Sequence, residues 1–190
     1  MKRSRQIVLV ANCILNPNAK VYGLVQSDLK NSIIKDLMDE NIGIIQMPCI
    51  EMEMCGLRRW GQVREQLDHE AFRNRCRKRL KPIVQQVCDF DKQGYKILGI
   101  IGIDGSPACG IHFTPTGDWY GEFNSELNYS DRISNMQMEP APGIMIQELE
   151  TMLKRKNLTV KYYALNEVDL YENKNKIMQA LRSDISKEGE

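Results

Sequence analysis

Two periods of apolar residues alternate along the chain. Residues 6–11 (Gln6-Ile7-Val8-Leu9-Val10-Ala11) form a short β-branched run, suited to a strand buried on both faces. Over 25–39 the apolar positions Leu29, Ile33, Ile34, Leu37 and Met38 fall at helical spacing. Asn41-Ile42-Gly43 then turns into a second strand at 44–47. Val63, Leu67, Phe72, Cys76, Leu80, Ile83, Val84 and Val87 make a long helical stripe, expected to kink or split at Pro82. Gly94 closes that helix, and 96–103 is the clearest strand. Residues 105–142 are rich in Gly, Pro, Asn and aromatics without a period, which predicts a functional loop or lid, or short elements that the pattern does not show. A helix over 143–156, a strand over 159–165 and a final helix over 168–183 complete the pattern.

Strands alternating with helices predict an α/β protein: a compact, Rossmann-like, three-layer domain with a mostly parallel sheet of about four to five strands and right-handed crossovers. The whole chain, 1–190, is expected to form one domain. Its core is 1–112, its long loop 111–142, and 143–190 adds a helix-strand-helix. In a parallel sheet every strand points the same way, so sites gather at the carboxyl ends. Cys13 follows the first strand, Cys49 the second, and Cys109 the third. If those strands are neighbours, three thiols meet on one sheet edge.

Composition narrows the partners. At 190 residues, 42% hydrophobic and 27% charged, the chain is ordinary for a folded domain. With 26 Lys and Arg against 25 Asp and Glu, a net charge of +1 gives no electrostatic reason to expect a general nucleic-acid or membrane-surface binder. The basic start Lys2-Arg3-Ser4-Arg5 precedes an apolar run too short for a signal peptide, and no stretch approaches membrane-spanning length. The expected location is cytoplasmic, where thiols stay reduced. The six cysteines are therefore read as packing, metal or redox groups rather than disulfides.

Cys76 and Cys88 lie on or beside an apolar stripe and read as packed thiols. Cys55 is a packed thiol, a persulfide carrier or a fourth ligand, with packing favoured. Cys13, Cys49 and Cys109 each sit beside turn-forming residues and point to a metal centre. Zinc would need a fourth ligand, from Cys55 or His112. A [4Fe-4S] cluster would take three cysteines and leave one iron open. Spacing alone leaves both open.

The segments Cys13-Ile14-Leu15, Pro48-Cys49-Ile50-Glu51 and Gly105-Ser106-Pro107-Ala108-Cys109-Gly110 resemble the 2-thiouracil desulfurase family. That family carries Cys-Leu-Leu-Gly, Cys-Pro-Glu and Ser-Pro-Ser-Cys-Gly after its first three strands. The likeness runs over about residues 6–112. Beyond it this chain has a C-terminal extension, and it lacks the family's second cysteine with Arg-Tyr-Asp-Gly, reading Asn16-Pro17-Asn18-Ala19-Lys20-Val21 instead. The resemblance implies a [4Fe-4S] cluster on Cys13, Cys49 and Cys109, with its fourth iron free for the sulfur of a small thiolated substrate such as thiouracil. It implies a desulfidase acting on C=S bonds by non-redox hydrolysis.

Hydrolysis needs a general base beside the metal. Glu51 is the first candidate, with Glu53 and Asp104 as competitors; Ser106 is expected to orient substrate, relay a proton or simply make the turn. Arg73, Arg75, Arg77, Lys78, Arg79 and Lys81 read as a solvated helix face, with phosphate contact the minor reading. Trp60, Phe113, Trp119 and Tyr120 are core aromatics or stack on a planar base. His69 reads as structural. The rival functions are a non-catalytic metal protein (a structural zinc site or an Fe-S redox sensor) and an enzyme that acts on another sulfur substrate or inserts sulfur.

Overall fold

The computed structural model describes residues 3–24, 33–166 and 168–186. The first half holds β1 (Gln6–Val10), α1 (Asn12–Leu15), a 3-10 turn (Pro17–Ala19), α2 (Ile33–Asp39), β2 (Gly43–Gln46) and α3 (Ile50–Cys55). Then come α4 (Arg64–Leu67), α5 (Glu70–Lys92), β3 (Lys96–Ile103), β4 (Thr114–Thr116) and α6 (Tyr129–Ser134). The chain ends with β5 (Gln137–Glu139), α7 (Ile144–Lys154), β6 (Tyr162–Leu165) and α8 (Leu170–Ser186). Residues 25–32 of the helix expected at 25–39 lie outside the described residues; α2 is its remainder.

β1 lies between β2 and β3, with β6 outside β3, and every pairing is parallel. Val8, Leu9 and Val10 are wholly buried because β1 is covered on both faces, which is why it is a β-branched run without alternation. Burying each such side chain stabilises the fold by about 1.5–3 kcal/mol. The chain moves one way across the sheet from β1 to β2, then reverses past β1 to β3 and β6. Right-handed crossovers therefore send α2 to one face and α5 and α7 to the other. Accordingly α5 packs on α7 and α3, and α2 packs on α8. The result is a three-layer, Rossmann-like α/β fold with one continuous core reaching from Ile7 to Leu181. The reversal makes the carboxyl ends of β1 and β3 a topological switch point, where open α/β sheets form clefts.

Two expectations need correction. The α5 helix does not break at Pro82; the split falls earlier, between α4 and α5, where His69 Nδ1 accepts the Phe72 N–H at 3.4 Å as an N-cap. Pro82 and Lys78 are both exposed, so the carbonyl that loses its helical donor faces water. The segment 105–142 hides short elements, β4 and β5 pairing antiparallel around α6. The arginines of α5 are not merely solvated. Arg73 and Arg77 hold the buried carboxylate of Glu148 on α7 at 2.9 and 3.0 Å. Arg75 and Arg79 hold Glu53 of α3 at 2.9 and 2.8 Å. A buried carboxylate is tolerable only when paired, so these pairs fix how α3 and α7 seat against α5. No helix among the described residues is long and apolar enough to cross a membrane.

Candidate active site

The backbone leaves the sheet at three adjacent points. β1 ends at Val10, and the Ala11 N–H still bonds the Ile101 carbonyl at 2.9 Å before Cys13 enters α1. Beyond β2, the Met47 N–H bonds the Val10 carbonyl at 2.8 Å. Two residues later Cys49 becomes the N-cap of α3, its Sγ accepting the Met52 N–H at 3.4 Å. β3 feeds the turn that carries Cys109. Because β2, β1 and β3 are neighbours in that order, Cys49, Cys13 and Cys109 line one cavity of about 340 Å³, together with Glu51 and Ser106.

The three thiols differ electrostatically. Cys13 and Cys109 hydrogen-bond each other, which raises the pKa of Cys13, the donor, well above its usual value and lowers that of Cys109. Ser106 adds to the lowering: its Oγ lies 3.2 Å from Cys109 Sγ and can donate to a thiolate. Burial pushes Cys49 up to about 11. Among the described residues no group of three or more His, Cys, Asp or Glu is gathered closely enough to hold a single metal ion.

The Cys109 loop is held by three devices. Ser106 Oγ accepts the N–H groups of Ala108 and Cys109 at 3.3 and 3.1 Å, so the serine makes the turn it sits in. Asp104 Oδ1 accepts the N–H groups of Ile111, His112 and Phe113 at 2.9, 2.8 and 3.3 Å. That carboxylate organises the loop, and Asp104 also lines the cavity. Finally, Gly143, Ile144 and Met145 at the start of α7 donate their N–H groups to the carbonyls of Gly110, Pro107 and Ala108, at 2.9, 3.0 and 3.0 Å.

This close approach requires glycine. A Cβ at Gly143 would stand 2.4 Å from the Ala108 carbonyl carbon and 2.8 Å from Cys109 N. Gly143→Ala is therefore expected to destabilise the protein by ~3 kcal/mol, the upper range for overpacking. Gly61→Ala, where a Cβ meets nothing within 4 Å, should leave stability near wild type. Urea unfolding of the two variants checks this, and equal midpoints would show that the loop yields freely.

Glu51, in the first turn of α3, is buried, and its Oε1 accepts from Arg59 Nε at 2.6 Å. The rest of the guanidinium donates to the carbonyls of Ala19 at 2.8 Å and Gly56 at 3.2 Å. Arg59 thus ties α3 to the turn after β1 and leaves Oε2 of Glu51 without a protein donor among the described residues. Arg59 was not legible in the sequence, since Leu57-Arg58-Arg59-Trp60 reads as any exposed loop. Asn12 was also missed. Its Oδ1 accepts from Gln46 at 2.6 Å, while its Nδ2 is buried on the cavity wall without a partner among the described residues. Lys20 lines the same cavity, and its charge favours the thiolate of Cys13.

The remaining candidates lie elsewhere. Cys76 is buried, its thiol pushed up to about 12 by burial, and Cys88 packs against the core. Cys55 does not pack as expected: it is exposed at the end of a short helix, within 3.5 Å of Gln62 Oε1. His112 is exposed and contributes only its backbone here. Trp60, Trp119 and Tyr120 are not core residues, and line an adjoining cavity; Phe113 is 45% exposed and lines neither.

Comparison with known proteins agrees with the resemblance read from the three cysteine segments. The family model described as "Putative 2-thiouracil desulfurase" matches residues 5–129. An uncharacterized protein of Methanocaldococcus jannaschii is 35% identical over 126 residues, which are 66% of this chain and 80% of that protein. No solved structure matches the chain. With the match spanning all three cysteines, Glu51 and Ser106, the chain belongs to the "Putative 2-thiouracil desulfurase" family.

Proposed function

We propose that this protein is a [4Fe-4S]-dependent desulfidase that removes sulfur from a small thiolated compound, a thio-nucleobase such as thiouracil, by non-redox hydrolysis. The observation that carries this reading is that three cysteine thiols from three adjacent strand ends, and a buried carboxylate beside one of them, line one cavity. Cys13, Cys49 and Cys109 would hold the cluster. The donor set fits it: three soft sulfur ligands, one of them with a thiol already lowered. The orphan N–H of Asn12 on the same wall could be met by a sulfide or by a substrate acceptor. When bound, such a cluster supplies a thiophilic Lewis-acid iron with no protein ligand.

The protein's own groups account for the rest. Glu51 Oε2 takes a proton from the water that attacks the C=S carbon, while Arg59 keeps Oε1 and fixes the carboxylate's direction. Asn12 Nδ2 donates to an oxygen or nitrogen of the ring. Ser106 acts through Cys109, whose backbone and sulfur it positions. The balance closes without electrons: water gives its oxygen to carbon, and sulfur leaves as hydrogen sulfide.

Protein purified without oxygen should be brown, contain about four irons with matching acid-labile sulfide per chain, and release sulfide from 2-thiouracil. A colourless, zinc-containing protein would overturn the proposal. Neither Cys55 nor His112, the two residues read from the sequence as fourth ligands for a closed zinc site, lines the cavity.

A further inference from the structure

Beside the cysteine cavity lies a second one, of about 400 Å³, and the two share Arg59, Gly61 and Gln62 as a common wall. Both tryptophans of the chain line this second cavity, with Tyr120, Phe123 and Tyr129. They come from separate stretches of sequence, the loop after α3 and the segment between β4 and α6 with the start of that helix. Trp119 Nε1 donates to the Gly61 carbonyl at 3.0 Å and holds the two stretches together. The Phe123 ring lies 6.4 Å from Trp60 and is stacked 5.7 Å from Tyr129. The Arg132 guanidinium sits 5.1 Å over the Tyr120 ring and also donates to the Asp118 and Tyr120 carbonyls.

These rings do not serve the core. Trp60, Tyr120 and Phe123 are 70, 69 and 67% exposed, although each would be stabilised by burial. Arg132 takes one face of Tyr120 and Tyr129 one face of Phe123; the exposed ring surface that remains is available to a ligand, and Gln62 and Gln66 add hydrogen-bonding groups on the same wall. Aromatic faces with a few polar groups at the edge suit a planar heterocycle.

Accepting the desulfidase reading above, we propose that this cavity is a subsite for a second planar ring, so that the thiolated ring reaches the cysteines as part of a molecule of at least dinucleotide size. With a cluster and the reacting ring in the cavity of about 340 Å³, the rest of a larger substrate would extend past the shared wall. The shared wall makes the aromatic cavity the adjoining space. A free thiobase would leave it unused. The net charge of +1 suits a short ligand with few phosphates rather than a long polyanion.

The test uses the full-length protein purified without oxygen, with sulfur-free probes: uracil, uridine monophosphate and the dinucleotide uridylyl-uridine. Binding is read by tryptophan fluorescence and by the rate of alkylation at Cys55, which lines the same cavity, mapped by mass spectrometry. The dinucleotide should half-saturate at about a tenfold lower concentration than the mononucleotide, within what one base–aromatic stack supplies, and should slow Cys55 alkylation. Phe123→Ala, at an exposed position that leaves the core intact, should abolish that advantage and keep the cluster's visible absorption. Equal binding of all three probes, or an unchanged dinucleotide advantage in Phe123→Ala, would overturn the proposal. If the dinucleotide binds as expected but no thiolated compound yields sulfide, the desulfidase reading fails and the subsite stands. Sulfide release from thiouracil without any dinucleotide preference would be the reverse.

Discussion

Glu51→Gln is expected to slow sulfide release roughly 10²–10⁴-fold, the range lost with a general base, while leaving the iron content and visible absorption unchanged. Glutamine keeps the shape of the side chain and a carbonyl for Arg59 Nε, now 2.6 Å from Oε1. It cannot take a proton from water. The substitution also leaves the Arg59 charge uncompensated, and that side chain is only 5% exposed. Breaking a buried pair this way costs about 3–5 kcal/mol, so a lower melting temperature should accompany the loss of activity. Steady-state sulfide release below the variant's melting transition separates the two effects. Full activity there would exclude Glu51 as the base.

Cys109→Ser should give a protein without iron, acid-labile sulfide or activity, whereas Cys55→Ser should keep the wild-type content of iron and acid-labile sulfide. Serine is close to isosteric with cysteine, and the Cys109 backbone bond to Ser106 survives the change. What disappears is the soft donor that the Cys13 and Ser106 hydrogen bonds favour as a thiolate. Cys55 is the control because it lies closest in sequence to the site without lining its cavity. Iron and sulfide analysis on anaerobic preparations decides the matter. Retention of a cluster by Cys109→Ser, or its loss from Cys55→Ser, would reassign the ligand set.

The sequence made legible whatever depends on position along one strand or helix. β1 and β3 stand out because strands covered on both faces carry unbroken apolar runs, and three cysteines beyond parallel strands must lie on one edge. What stayed hidden depends on side-chain contacts that no periodicity along the chain encodes. Nothing local marks Arg59 as the partner of Glu51, or Asp104 as the acceptor for three N–H groups of its own loop. Arg73 and Arg77 read as a solvated face because Glu148 lies 75 and 71 residues away. Pro82 misled for the opposite reason: a rule about helix interiors was applied without knowing that this stretch of α5 faces water.

The stretch recognisable by family, 5–129, stops short of the residues that steady the site. The first turn of α7 receives three carbonyls of the Cys109 loop, so this helix is a bracket screwed onto the loop from fourteen residues beyond that boundary. A chain trimmed to the recognisable part would keep every cysteine and lose the bracket. Transplanting the centre into another sheet would likewise have to carry 143–145 along, because ancestry and mechanical completeness end at different places in this protein.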